Sequence, residues 1–295
     1  MIRYVFPKLP GIRTTPFFRV GGIGLANALF VYARAMLLAE DHGLQLIDPA
    51  WFSVRSPKHW FSAEKDKRHY GGIFRSVGIH GFRKALLMAT AGRIAEDDFS
   101  SVDVAAQIVV VHRIVGKGFG PLVGRHDQIR ELLQLSLKNR VLANVESFDF
   151  SKTVAVHVRR GDYGPARRTP DEWFVNAISS IGKTIPDARF LLFSDGTPEE
   201  LSQLLSLPKV EPAFFGCSMA DIFAISRCRA LIGSCSTFSD WGAFLGQIPV
   251  LLPASPQFGN FHEDIGNEFV LPPPANDIPY GFLDRVKASF RSVKA

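Results

Sequence analysis

The sequence predicts an α/β fold with mainly parallel strands, built as two domains with a cleft between them. Short apolar runs alternate with segments of helical periodicity along most of the chain. The alternation becomes regular from Thr153 onward, as repeated strand–helix units demand. The 295 residues suffice for two ordinary domains. A polar stretch at 144–152 separates a helical pattern from a strand pattern, which sets the expected boundary between 1–147 and 148–295.

In the first half, 17–20 reads as a strand and Gly21-Gly-Ile-Gly24 as a turn. A helix is expected over 25–42, with Leu25, Leu29, Val31, Tyr32, Met36 and Leu37 as apolar surface and Gly43 as its stop. Residues 44–47 read as the next strand, 108–112 as another, and 127–142 as a helix. The segment 49–93 is rich in aromatics and cations and predicts irregular structure with some helix.

In the second half, Thr153-Val-Ala-Val-His-Val158 is a buried parallel strand by its β-branched, apolar run. Thr169-Pro-Asp-Glu172 spells a capping box with proline at the first helical position, opening a helix to about 185. Thr197-Pro-Glu-Glu200 repeats that chemistry. Strands are expected at 190–193, 230–233 and 250–252, and helices at 218–227 and 238–245. Pro272-Pro-Pro274 precedes a last basic helix, 280–294, which could pack back on the first domain.

Composition narrows the function classes. The net charge of +6 suits an acidic partner, but it is too mild to argue for nucleic acid, and no run resembles an RNA or DNA module. The three cysteines form no C-x-x-C pair, which argues against a disulfide framework or zinc site and for free thiols. The start of the chain lacks the apolar core of a signal peptide, and no run approaches a membrane span. A cytoplasmic protein is expected. The basic residues of 55–93 suggest peripheral contact with an anionic membrane. G-x-x-x-x-G-K-[ST], G-x-G-x-x-G and Asp-x-Asp are all missing, so no metal or other cofactor is expected.

Chemistry gathers at strand ends, where ligands of open α/β sheets lie. Arg159 and Arg160 come directly after the strand at 153–158, and a guanidinium fork matches phosphate oxygens in pairs. Asp162 could restrain an arginine or act on a substrate hydroxyl. Ser194-Asp-Gly196 ends the next strand. Gly233-Ser-Cys-Ser-Thr-Phe-Ser239 is a hydroxyl-rich loop entering a helix, whose free N–H groups suit a phosphate.

Four stretches resemble the α-1,2-fucosyltransferases, glycosyltransferase family eleven. His157-Val-Arg-Arg-Gly-Asp-Tyr163 matches their H-x-R-R-x-D-Y motif throughout. Gly22-Ile-Gly-Leu-Ala-Asn-Ala-Leu-Phe-Val-Tyr-Ala33, Asp221-Ile-Phe-Ala-Ile-Ser-Arg-Cys228 and Ser236-Thr-Phe-Ser-Asp-Trp-Gly-Ala243 are similar to their other motifs, in the same order. The resemblance implies two Rossmann-like domains facing a cleft (GT-B type), with the acceptor on the N-terminal side and the nucleotide sugar on the other. It implies inverting, metal-independent transfer of fucose from GDP-fucose to a galactose-type hydroxyl of a glycan, with α-1,2 linkage; a lipid-linked acceptor would fit the membrane expectation.

By the same resemblance, Arg159 and Arg160 grip the diphosphate, His157 and Asp221 lie near the guanosine, and Ser236 and Thr237 donate to phosphate oxygens. Asn27 closes over the donor. Asp162 orients an arginine or helps deprotonate the acceptor; orientation is favoured, since a carboxylate beside two arginines is a weak base. Two positions depart from the family pattern: Ala26 replaces a glycine, and Asp240 replaces an aromatic, to alter acceptor preference or face solvent. Alternatives are a nucleotide-sugar-binding protein without catalysis and a transferase using another nucleotide sugar.

Overall fold

The computed structural model describes residues 2–11, 13–54, 66, 69–99, 106–114, 118–161, 164, 167–274 and 277–291. Two units form, one from Met1–Phe61 with Asp66–Asn139 and one that comprises Arg140–Ala295. No helix of the described residues is long and apolar enough to cross a membrane.

The first unit runs β1 (Tyr4–Pro7), β2 (Arg13–Thr14), β3 (Arg19–Val20), α1 (Leu25–Asp41), β4 (Gln45–Leu46), β5 (Ser53–Val54), α2 (Gly81–Thr90), β6 (Gly92–Ala95), β7 (Ala106–Val111) and α3 (His126–Ser136). Its main sheet has the order β4-β1-β7-β6, with every neighbouring pair parallel. Helix α1 is buried from Leu25 to Leu37 except at Asn27. That includes Arg34, whose guanidinium pairs with Glu96 and donates to the Arg113 carbonyl at 2.8 Å.

Two expectations change here. Of 17–20, only Arg19–Val20 is strand; Phe17 and Phe18 form the turn of a β2–β3 hairpin. Pro16 offers no N–H, and the Thr15 hydroxyl accepts the Phe18 N–H at 3.0 Å, so the turn satisfies its own backbone. The helix expected over 127–142 stops at Ser136, because Leu137 bridges to Phe74 and the Lys138 N–H donates to the Ile73 carbonyl at 3.0 Å.

The second unit runs α4 (Ala143–Glu146), β8 (Thr153–Val158), α5 (Asp171–Thr184), β9 (Arg189–Ser194), α6 (Ser202–Leu205), β10 (Val210–Pro212), α7 (Ser218–Arg227), β11 (Leu231–Ile232), α8 (Thr237–Gly246), β12 (Val250–Leu252), β13 (Glu268–Val270) and α9 (Tyr280–Arg291). Its sheet has the order β10-β9-β8-β11-β12-β13, all parallel. Counted within the unit this is 3-2-1-4-5-6, the doubly wound Rossmann order. All six residues of β8 are buried, as its apolar run requires.

The segment 140–147 is anchored to this second core. Val145 is fully buried, its carbonyl accepts from Arg227 Nη1 at 3.1 Å, and Asn144 Nδ2 donates to the Phe215 carbonyl at 3.4 Å. The last helix, α9, belongs to the same core through Phe282 and Val286.

The two capping boxes differ. Thr197 and Glu200 form theirs reciprocally, with N–H to carboxylate at 3.0 Å and N–H to hydroxyl at 3.3 Å. The one expected at Thr169–Glu172 does not form: Pro170 is the N-cap without a side-chain bond, and Asp171 is drawn to Arg160 instead.

Candidate active site at the switch point of the second unit

The strand order of the second unit reverses between β8 and β11, so their carboxyl ends open a crevice suited to a ligand. Arg159 leaves β8 there, and Ser234 leaves β11. The Arg159 N–H donates to Ser234 Oγ at 3.2 Å, tying the two loops together.

The two adjacent arginines have different surroundings, because successive side chains leave an extended chain in opposite directions. Arg159 is 24% exposed, and its Nη1 lies 2.6 Å from Asp195 Oδ2. Arg160 is 5% exposed. Its guanidinium is ion-paired with Asp171 and donates to the Thr169 carbonyl at 3.2 Å. The Arg160 backbone N–H donates to Asp195 Oδ1 at 2.8 Å. One carboxylate at the end of β9 therefore fixes both arginines. Gly161 lies so close that an added Cβ would run into Asp195 Oδ2. Asp162 lies outside the described residues.

His157 points into the core from β8. Its Nδ1 lies 3.0 Å from Ser239 Oγ and 3.3 Å from Ser234 Oγ, and its ring packs on Phe238 at 5.2 Å. Burial, helped by the nearby Arg159 charge, pulls its pKa down to about 3, so the ring is neutral near pH 7. Ser236 is the extended N-cap of α8, and its hydroxyl makes no capping bond. Thr237 opens the helix and is partly exposed. Cys235, at φ 49°, bends the chain into this turn, and its thiol donates to the Ala254 carbonyl at 3.1 Å. Burial pushes that thiol up to about 11.

Asp240 is 1% exposed in the first turn of α8, which corrects the solvent-facing option. Helix α8 is buried from Ser239 to Leu245, and that turn is carried inward with it. Burial, with the Glu268 carboxylate, holds its pKa well above the ordinary Asp value. Its Oδ1 has no hydrogen-bond partner among the described residues.

Asp221 lies on α7, and its Oδ1 accepts the Phe215 N–H at 2.7 Å, pinning the loop after β10. Its strand neighbourhood is two strands away from β8. Asn27 belongs to the first unit, at the start of α1. The preceding turn needs glycine at 22, where φ is +125° and an added Cβ would sit 2.6 Å from the Pro10 carbonyl. Asn27 Oδ1 is buried with no hydrogen-bond partner among the described residues. Ala26 is 7% exposed within the helix.

The geometry brings Arg159, Arg160, His157 and the Ser234–Thr237 turn together. It adds Asp171, and it gives Asp195 and Ser234, present in the sequence reading only as parts of a strand-end turn and a hydroxyl-rich loop, specific partners. Asp195 stands in a recognisable strand-end turn, but its role depends on β9 lying beside β8. Asp171 is legible in the sequence only as a capping residue. No three His, Cys, Asp or Glu side chains among the described residues gather as metal ligands.

Comparison with known proteins agrees with this frame. The fucosyltransferase NodZ from Bradyrhizobium superposes with a TM-score of 0.51 at 14% identity, over 85% of this chain and 95% of that one. The NodZ α-1,6-fucosyltransferase soaked with GDP-fucose gives 0.50 at 14% identity, over 85% and 94%. A variant of Arabidopsis thaliana FUT1 in complex with GDP gives 0.52 at 12% identity, over 87% and 71%. This likeness is one of fold, the GT-B type with Rossmann-like units that the motifs led to expect. No curated protein matches in sequence. Residues 122–252 match the family model described as glycosyl transferase family 11. The motifs at 157–163, 221–228 and 236–243 fall inside the stretch that matches family 11, and the one at 22–33 falls outside it.

Proposed function

We propose that this chain is a fucosyltransferase that moves fucose from GDP-fucose to a galactose-type hydroxyl of a glycan, in α-1,2 linkage, without a metal. The observation that carries the reading is the joined Arg159–Ser234 turn at the switch point, inside the stretch that matches family 11. The comparison structures soaked with GDP-fucose or holding GDP support the choice of donor. The α-1,2 linkage rests on the motif resemblance alone.

In this mechanism the acceptor hydroxyl attacks the fucose anomeric carbon from the face opposite the diphosphate, GDP leaves with the electrons of the broken C–O bond, and the hydroxyl proton is released to water as the new C–O bond forms. Negative charge grows on the leaving phosphate. Arg159, the partly exposed cation, meets it, as do the Ser236 and Thr237 hydroxyls and the first N–H groups of α8. Arg160 acts as a positioning residue: its buried pair with Asp171 fixes the turn from which Arg159 reaches out. His157 is neutral and holds Ser234 and Ser239, so it shapes the phosphate turn and moves no proton. Asp221 shapes the Phe215 loop on the guanosine side. Asn27, with an unsatisfied amide oxygen, is suited to accept from a sugar hydroxyl. Asp162 is assigned to orientation of the arginine pair.

The test is transfer from radiolabelled GDP-fucose to galactose-terminated acceptors, with and without EDTA, beside a thermal-shift panel of nucleotides. Linkage-resolved product with undiminished activity in EDTA is expected, with GDP raising the melting temperature more than UDP or ADP. Absence of both transfer and donor hydrolysis, together with no GDP shift, overturns the reading. A UDP preference overturns the donor assignment, and GDP binding without turnover leaves a nucleotide-sugar-binding protein in its place.

A further inference from the structure

Helix α2 of the first unit is turned the unusual way round. Its inward face carries Lys84, which is 3% exposed and donates to the Asp48 carbonyl at 2.5 Å, and Met88, which packs with Phe6, Ile47, Ile79 and Ile108. Its outward face carries Phe82, 84% exposed, and Leu86, 53% exposed. These two stand one turn apart and share a face. Arg83 is exposed beside them. Val77, in the segment leading to the helix, is 43% exposed.

Among the described residues of 69–95, Arg75, Arg83 and Arg93 are exposed cations and no Asp or Glu occurs. On the C-terminal side, Glu96 and Asp97 are paired with Arg34 and Arg113. Asp48 is occupied by the Ser76 hydroxyl and the Gly78 N–H. An apolar pair with an exposed arginine between its members, on a segment whose described residues carry no acid, is the chemistry of a helix that lies in a lipid headgroup layer. A second copy docked through the same face about a twofold axis would set cations against cations, which disfavours self-association there.

We propose that α2 docks on an anionic lipid surface, with Phe82 and Leu86 entering the acyl boundary and Arg83 meeting the headgroups. This inference is independent of the donor and the reaction. The enzyme would then work beside lipid-borne acceptors.

The full chain is sedimented with phosphatidylglycerol-containing vesicles and with pure phosphatidylcholine vesicles, at low and high salt. Binding to the anionic vesicles that weakens with salt is expected. The Phe82→Ser/Leu86→Ser double variant should partition at least about tenfold less, with an unchanged melting temperature because both side chains are exposed. Arg83→Glu should weaken binding by at least about fivefold. Phe82→Trp should give a blue-shifted emission on anionic vesicles. Three results overturn the proposal: no binding at low salt, binding unchanged in the double variant, or a self-association that the double variant abolishes while vesicles are ignored.

Discussion

Replacing Asp240 by asparagine removes a proton-binding site from the folded chain while nearly preserving its shape. Asp240 is buried in the first turn of α8, and burial with the Glu268 charge keeps its carboxyl protonated well above the usual range. The unfolded chain releases that proton near about pH 4. Between that point and the folded pKa, the unfolded state binds one proton fewer. Stability therefore falls as pH rises, by about 1.4 kcal/mol per pH unit. His157 works in the opposite direction. Its folded pKa is lowered to about 3, so below its unfolded pKa the unfolded state binds one proton more. Its contribution is lost as pH falls, with the same slope of about 1.4 kcal/mol per unit. Below the folded pKa of Asp240 and the unfolded pKa of His157, the two slopes oppose each other in the native protein. In Asp240→Asn the histidine slope stands alone, and the stability gap between variant and native protein widens by about 1.4 kcal/mol per pH unit. Groups common to both proteins drop out of that difference. Urea unfolding read by tryptophan emission provides the assay, since Trp241 is the next residue and is fully buried. A stability difference that is constant with pH would show Asp240 ionised in the folded chain and refute the reasoning.

Asp171→Ala leaves the Arg160 guanidinium buried without its carboxylate; it should cost about 2–4 kcal/mol in thermal or urea unfolding, and a loss below 1 kcal/mol (on the order of surface noise) would contradict the buried pair. Gly161→Ala forces a Cβ against Asp195, so turnover should fall together with melting temperature; wild-type turnover would mean that the Asp195–Arg159 geometry is unimportant. Asp195→Asn keeps an acceptor for the Arg160 N–H and removes the charge facing Arg159, so calorimetry should show tighter GDP binding; weaker binding would count against Arg159 as the phosphate ligand. Trp173→Phe removes the indole bond to the Leu271 carbonyl and should destabilise by about 1–2 kcal/mol without changing GDP affinity.

Much of the second unit is legible because its signals are local. The apolar run 153–158 ends abruptly at two arginines, and Thr-Pro pairs at 169–170 and 197–198 punctuate the chain after it. The first unit hides more. Strand β1 has four residues ending in proline, and its central place comes from pairing with β4 and β7 far along the chain. Helix α2 cannot be oriented from its pattern, since the burial of Lys84 depends on the Asp48 carbonyl brought to it by the fold. The strand-end residues of the site can be named from sequence, but their division of labour cannot. Only the neighbouring β9 reveals that Arg160 is held inside while Arg159 is turned outward.

Asp195 also bears on how the enzyme would turn over. Under the proposed function, a carboxylate already seated on Arg159 would make donor capture an exchange of one anion for another. With that pair in place, the guanidinium would be aimed before the nucleotide arrives. When GDP departs, the same carboxylate is there to take its place. Such a resident competitor would weaken nucleotide affinity and quicken product escape, trading grip for throughput.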